Sequence, residues 1–159
     1  MTGSGVYVLF TLDEQRYALR LSAVERVVPI VEIVPLPKAP DIVLGVINIA
    51  ERVIPVVNIR RRFGLPEREI SLSDQLIIAP TSKRTVALVV DRVVDVMESP
   101  KHMVVGTKRI LSGVDYVEGV IKLDDGLILI HDLETFLSLE EEEALDTALK
   151  ARKGKKKPE

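Results

Sequence analysis

Few residues of this chain could do chemistry. None of its 159 residues is cysteine, which removes thiol nucleophiles, disulfides and every Cys-based zinc or iron–sulfur site. His102 and His131 are its two imidazoles, and neither stands in a metal-ligand spacing. His131 beside Asp132 has the composition of a base and its orienter. A catalytic pair, however, needs a nucleophile or polarising group and a spatial relation that adjacency does not supply. Asp124 and Asp125 offer carboxylates to a cation, but no calcium-loop spacing follows, and an Asp-Gly turn explains them with less machinery. Gly3, Gly5, Gly45 and Gly119 form no phosphate-binding loop. Lys83-Arg84 and Arg60-Arg61-Arg62 are basic clusters without interleaved aromatics, a weak footing for RNA binding. No set of residues converges on a reaction and no cofactor is implied, so the expectation is a binding protein, not an enzyme.

The elements that would position a binding surface are mainly strands. Hydrophobic residues make up 47% of the chain, yet aromatics are 4% and Trp is absent. The core is therefore built from Val, Ile and Leu, whose branched side chains suit a pleated sheet. The net charge of -2 argues against a domain-wide nucleic-acid surface. The start lacks a basic segment followed by an apolar run, and the apolar stretches 42–49 and 53–59 are too short to cross a bilayer, so a cytoplasmic location is expected.

Tyr17, Leu19 and Leu21 share one parity, as do Val6, Val8, Phe10 and Leu12, and Asp13–Gln15 between the runs reads as a hairpin turn. Ser22 is placed to cap a short helical turn through Val24–Glu25. Val46–Ile49 and Val53–Val57 flank the polar turn Ala50–Arg52 in a second hairpin. Pro55 there requires an edge, a bulge or an outward-facing amide position. Arg60–Phe63 reads as a helical turn stopped by Gly64 and Pro66. Ser99-Pro100 is a helix-start signal. Asp132 is placed to cap Leu133–Leu137, and Ser138 with Glu141 forms a capping box for a helix running toward Lys150, with Ala144, Leu145, Ala148 and Leu149 on the face that packs on the body.

The chain also repeats itself. Gly45-Val46-Ile47-Asn48-Ile49 matches Gly119-Val120-Ile121-Lys122-Leu123 at an offset of 74 residues (119 − 45), continuing through Ile54/Ile128, Val56/Ile130 and Ile59/Leu133. Tyr17-Ala18-Leu19 matches Val86-Ala87-Leu88, and Val24 matches Val93, at an offset of 69 (86 − 17). Two such units, each with one apolar face needing cover, predict a pair of small barrels whose closure hides their edges.

Gly45-Val46-Ile47-Asn48-Ile49, then Val53-Ile54-Pro55-Val56-Val57-Asn58-Ile59 and Phe63-Gly64, resemble the motif set of the CheW-like chemotaxis coupling family. Asp13-Glu14-Gln15, Val24-Glu25, Pro35-Leu36-Pro37, Val90-Asp91-Arg92-Val93 and Gly119-Val120-Ile121 fit the same pattern, so the resemblance covers roughly residues 6–137. It implies an all-β fold of two intertwined five-stranded SH3-like barrels with short helices. The expected domain spans 6–149, with subdomains near 15–70 and 72–137, an N-terminal strand crossing between them, and a flexible basic tail over 150–159. It implies a non-catalytic adaptor without cofactors, linking the cytoplasmic tip of chemoreceptors to the regulatory domain of a CheA-type histidine kinase, recruited to receptor arrays at the inner face of the membrane. Candidate protein-binding positions carried over from it are Val8, Leu21, Val24, Glu25 and Val27, with Val93 and Val94 in the second barrel. In the family an Arg-Gly pair follows the Asn-Leu step, the Arg being implicated in receptor coupling and able to pair with the acid matched here by Glu25. This chain has Ala50-Glu51 instead. Arg52 is then the candidate partner of Glu25, and Glu51 argues against a turn with φ > 0. Two other functions remain open at this point: a divergent CheW-like scaffold for another signalling pathway, and a small barrel that binds nucleic acid through basic termini.

Overall fold

The computed structural model describes residues 4–100, 104–106, 117–123 and 126–155. His102 and the Asp124-Asp125 turn lie outside the described residues. The protein is mostly β. Strands β1 (Ser4–Leu12), β2 (Gln15–Arg20), β3 (Arg26–Pro29), β4 (Val43–Ile49), β5 (Arg52–Val57), β6 (Gln75–Pro80), β7 (Thr85–Val90), β8 (Arg92–Pro100), β9 (Val104–Gly106), β10 (Val117–Leu123) and β11 (Gly126–His131) are joined by helices α1 (Ile59–Phe63) and α2 (Leu139–Lys155) and by 3-10 turns at Leu21–Ala23 and Leu133–Thr135.

Two sheets form, in the orders β3-β6-β7-β5-β4 and β8-β1-β2-β11-β10-β9. The boundary between them does not follow a division of the chain near residue 70. The first sheet uses strands between Arg26 and Val90, while the second joins the whole β1–β2 hairpin to strands from Arg92 onward. Each sheet thus receives an opening hairpin from one repeat and its remaining strands from the other, three in the five-stranded sheet and four in the six-stranded one.

The sequence repeats are repeats of register. β4/β5 slips between Val43 and Gly45, and β10/β11 slips between Val117 and Gly119, the same bulge 74 residues on (119 − 45). The parallel contacts Ala18–Ile130 and Ala87–Val56 are likewise equivalent. Each barrel interior uses matching positions. Ile47, Ile54, Val56, Leu76, Ile78 and Ala87 fill the first; Ile121, Ile128, Ile130, Tyr7, Leu9 and Ala18 fill the second. A larger core lies between the sheets, drawing Phe10, Leu12, Tyr17 and Leu19 from one and Ile77, Val86, Leu88 and Val90 from the other.

Closure explains the glycine of the repeated motif. The chain beyond β3 returns to β4, where Val34 and Val46 exchange two backbone hydrogen bonds of 2.8 Å. A Cβ at Gly45, which has φ +156°, would overlap the Val34 carbonyl oxygen and lie 2.9 Å from its carbon. In the other sheet β9 plays the part of Val34, pairing Val105 with Val120 and Gly106 with Gly119. Its sixth strand is therefore the counterpart of a single bridge in the five-stranded sheet. Pro55 sits opposite Val46, whose N–H and C=O both turn away to Val34. That pair needs no hydrogen bond across β4–β5, and the ladder to β7 starts only at Val56, so a proline is accommodated inside the sheet.

Four local expectations change. Ser99-Pro100 ends β8 opposite Gly5 and Ser4 instead of starting a helix, because pairing with β1 claims the backbone there. The turn at Leu21–Ala23 has Arg20 at its N-cap without a side-chain cap bond, so Ser22 does not cap it. Ala50 and Glu51 have φ of +50° and +64°, the left-handed turn that the side chain of Glu51 argued against. The hairpin register forces a two-residue connection whose twist matches the strands, and it holds both residues there despite their Cβ atoms. Helix α2 continues past Lys150 to Lys155, with acidic residues in its first turn and Lys150 late, a placement that suits the helix dipole. Ser138 and Glu141 make the reciprocal capping box at 3.1 and 2.8 Å, and Leu145 and Ala148 seal the inter-sheet core while Ala144 is exposed.

Candidate protein-binding surface

Among the described residues, those that could have done chemistry are held in structure. His131 ends β11 and lies face to face with Phe63, ring centroids 4.0 Å apart, with Tyr17 and Phe136 around it. Asp132 accepts from the Glu134 amide at 3.0 Å and so caps the following 3-10 turn, as Asn58, 74 residues earlier (132 − 58), caps α1 through the Arg61 amide at 3.2 Å. The basic clusters are largely neutralised within the fold. Arg60 meets Asp13 and Asp91, Arg61 meets Glu67, Arg62 meets Glu141, and Arg84 meets Glu142 and Asp146. Among the described residues no three His, Asp or Glu side chains are grouped to hold a metal, and no helix is long and apolar enough to cross a membrane.

An apolar strip instead reaches the surface where the chain first passes from one sheet to the other. On β1 the alternate residues Val6, Val8, Phe10 and Leu12 share a face, and the last two belong to the inter-sheet core. Toward the start of the strand that core runs out into solvent: Val6 is 39% exposed. Val96 on β8 pairs with Val8 and is 52% exposed. Leu21, 43% exposed, follows Arg20, the residue paired with Tyr7, and so emerges beside Val6. From Leu21 the chain crosses through Val24, Glu25 and Val27, and the two valines lean half-buried on the inter-sheet core.

The polar margin of this strip is an ion pair. Arg52, the first residue of β5, donates from Nη1 to Glu25 Oε1 at 3.3 Å and from Nη2 to Oε2 at 2.5 Å. The hydrogen bond from Arg52 holds the Glu25 carboxyl below the usual carboxylate range. Arg26 adds a weaker contact at 3.7 Å. The Glu25 amide is fixed to the Ile78 carbonyl at 2.7 Å, so the carboxylate is presented from a paired backbone. The pairing of Arg52 with Glu25 was suggested by the resemblance, through the Arg this chain lacks; its bidentate form needed the Ala50–Glu51 turn to set the direction of β5.

The candidate positions therefore divide. Leu21 and Glu25 are exposed and Arg52 partly so, and all three lie along the crossover. Val24 and Val27 are half-buried beside them. Val94 is 40% exposed in the bulge where β8 slips against Leu9 and Phe10. Val93 pairs with Phe10 and packs on the inter-sheet core. Val8 is a correction: at 3% exposure it is covered, flanked by Leu19 and Val96, and cannot itself meet a partner. Val6 and Val96, exposed along the same strip, are not among the candidates. Val6 carried a signal, since it shares the parity of Val8; Val96 did not, because the bulge in β8 shifts its phase.

Comparison with known proteins agrees along nearly the whole chain. The family model of the CheW-like domain matches residues 6–141. A chemotaxis protein CheW from Thermotoga maritima is 31% identical over 128 residues, covering 80% of this chain and 84% of that one. One from Rhizobium meliloti is 28% identical over 144 residues, covering 89% and 93%. The crystal structure of the scaffolding protein TtCheW from Thermoanaerobacter tengcongensis superposes with a TM-score of 0.79 at 29% identity, covering 89% of this chain and 96% of that one.

Proposed function

The chain belongs to the CheW-like domain family of non-catalytic chemotaxis scaffolds, and from that premise we propose that it couples the cytoplasmic tips of chemoreceptors to the regulatory domain of a CheA-type histidine kinase. The observation that carries this reading is the exposed strip Val6, Leu21 and Val96, continuous with the inter-sheet core and bordered by the Glu25–Arg52 pair. Exposed aliphatic side chains beside a fixed polar margin suit a protein partner: burial supplies attraction and the ion pair supplies orientation. The receptor tip takes the strip, with Val24, Val27 and Val94 at its margins, and the kinase domain takes a separate surface of the first barrel. Recruitment to arrays at the inner face of the membrane follows from the partners, since effective concentration in an array makes modest pairwise contacts sufficient.

One observation favours a second reading, a divergent scaffold with another receptor or kinase pathway. The Ala50–Glu51 turn has Ala50 where the family pattern has an Arg and Glu51 where it has a Gly, and Arg52 is turned back onto Glu25.

Calorimetry with the purified regulatory domain of the co-encoded kinase tests the coupling, using wild type and Leu21→Asp. Saturable 1:1 binding that persists in folded L21D, together with loss of receptor-tip binding in that variant, is the expected result. No kinase binding up to about 100 μM, corresponding to about −5.5 kcal/mol, would sink it.

A further inference from the structure

The second passage between sheets is a single residue. Asp91 stands between Val90, the last residue of β7, and Arg92, the first of β8. Its Oδ1 receives Arg60 Nη2 at 2.7 Å and Arg68 Nη2 at 2.5 Å, its Oδ2 receives the Asp13 amide at 2.8 Å, and its own amide donates to the Thr11 carbonyl at 3.0 Å. Arg60, with 10% of its side chain exposed, also reaches the Asp13 carboxylate at 2.9 Å and the Pro66 carbonyl at 3.0 Å. Arg68 continues to Asp74, which is 3% exposed, at 2.8 and 3.2 Å.

These groups come from both sheets. Asp13 turns the β1–β2 hairpin of the six-stranded sheet, whereas Arg60 follows β5, and Arg68 and Asp74 precede β6, in the five-stranded one. Of these charges Arg60 and Asp74 are withdrawn from water, and pairs to such groups contribute little net stability compared with apolar residues of the same volume; what the two guanidinium forks fix is geometry, because each accepts few alternative arrangements. The cluster also lies at one end of the β1–β8 pair, beside Thr11–Arg92, while the apolar strip lies toward the other end, at Val6 and Val96. Five residues of strand separate Thr11 from Val6, a lever of about 17 Å.

We infer that the Asp91 cluster is a positioning device: it sets the angle at which the two sheets meet, and so the spacing between Val6, Leu21 and Val96 on one sheet and Val24 and Val27 on the crossover to the other. The link to binding rests on the reading of that strip as a partner surface; the geometric part does not. A rotation of about 15° at the cluster, the size of known interface rotations, displaces the far end of the lever by about 4 Å.

The chain has no cysteine, so a spin-label pair can be introduced cleanly. Asn48→Cys and Lys122→Cys sit at equivalent exposed positions on β4 and β10, one on each sheet. Their distance distribution, measured by double electron–electron resonance, is compared among the otherwise native protein, Asp91→Asn and Arg68→Met, with circular dichroism confirming the fold. Arg68→Met leaves Arg60, Asp13 and Asp91 in place, so it serves where D91N does not fold. The expected result is a folded variant whose distribution shifts or broadens by a few ångströms, with receptor-tip affinity lower by about tenfold. A folded variant with an unchanged distribution would overturn the proposal. A shifted distribution with unchanged affinity would overturn its link to the strip. Absence of receptor-tip binding by the native protein, with the distribution still shifted in the variants, would overturn the adaptor reading and that link together, leaving the geometric role standing.

Discussion

Replacing Gly45 by alanine should open the five-stranded barrel at its seam. The new methyl group would overlap the Val34 carbonyl oxygen and would also lie 2.9 Å from Ile33 Cγ2. The strand cannot yield alone, because Val46, next to Gly45, holds Val34 by two hydrogen bonds of 2.8 Å. Losing both bonds costs about 2 kcal/mol net, and no more than that because Val34 is 41% exposed and water takes up part of the freed polarity. Displacing Ile33, which packs on the barrel core, adds about 1–2 kcal/mol of overpacking strain. The sum is about 3–4 kcal/mol, which for a chain of 159 residues lowers the melting temperature by about 10 °C. Scanning calorimetry measures the shift, and amide exchange at Val34 and Val46 locates it. A Gly45→Ala protein melting within about 2 °C of the native one, with those amides still slow to exchange, would refute the closure argument.

The opposite sign is expected at the neighbouring turn: Glu51→Gly relieves a left-handed residue at φ +64° and should raise stability by up to about 1 kcal/mol in a urea titration. Leu145→Ala removes a fully buried side chain of α2 and should cost about 3 kcal/mol by the same assay. Acid should weaken the fold through Asp91 and Glu141. For both, burial tends to raise the pKa, but it is outweighed: hydrogen bonds from the Asp13 amide, Arg60 and Arg68 hold Asp91 low, and those from Arg62 and Ser138 hold Glu141 low. A carboxyl with a depressed folded pKa contributes fully above its unfolded value, about 4, and that contribution disappears as pH falls through the lower folded value. Melting curves of D91N and E141Q between pH 7 and about pH 2 should therefore fall less steeply below pH ~4 than those of the native protein.

Much of the architecture was legible in the sequence because its signals are local. Alternation gave the β1–β2 hairpin, the paired Gly-Val-Ile motifs gave the two equivalent hairpins, and Ser138 with Glu141 gave the start of α2. The exchange of hairpins was not legible in full, since parity says which face of a strand is apolar and nothing about which sheet completes it. Leu21 and Glu25 entered through the family resemblance, and the absence of the family's Arg directed attention to Arg52, 27 residues from Glu25, as its partner. Val8 entered through the resemblance, and its burial was hidden because it depends on the strands to either side; the exposure of Val96 was hidden because a bulge broke the period that would have revealed it. The Asp91 cluster joins residues 78 positions apart along the chain (91 − 13), each of which reads singly as a solvated turn charge.

The exchanged hairpin also has a consequence for synthesis. β1 and β2 leave the ribosome before the other strands of the two sheets, yet the strands that flank them, β8 and β11, are translated only after the other sheet is complete in sequence. At about 5–20 residues per second, the early hairpin waits several seconds with both edges unpaired. The five-stranded sheet can meanwhile close around its own interior and offer Ile77, Leu88 and Val90 as a template for Phe10, Leu12 and Leu19. Among the strands, the order of emergence is thus the reverse of the order of completion: the hairpin made before the others is among the last to find its neighbours.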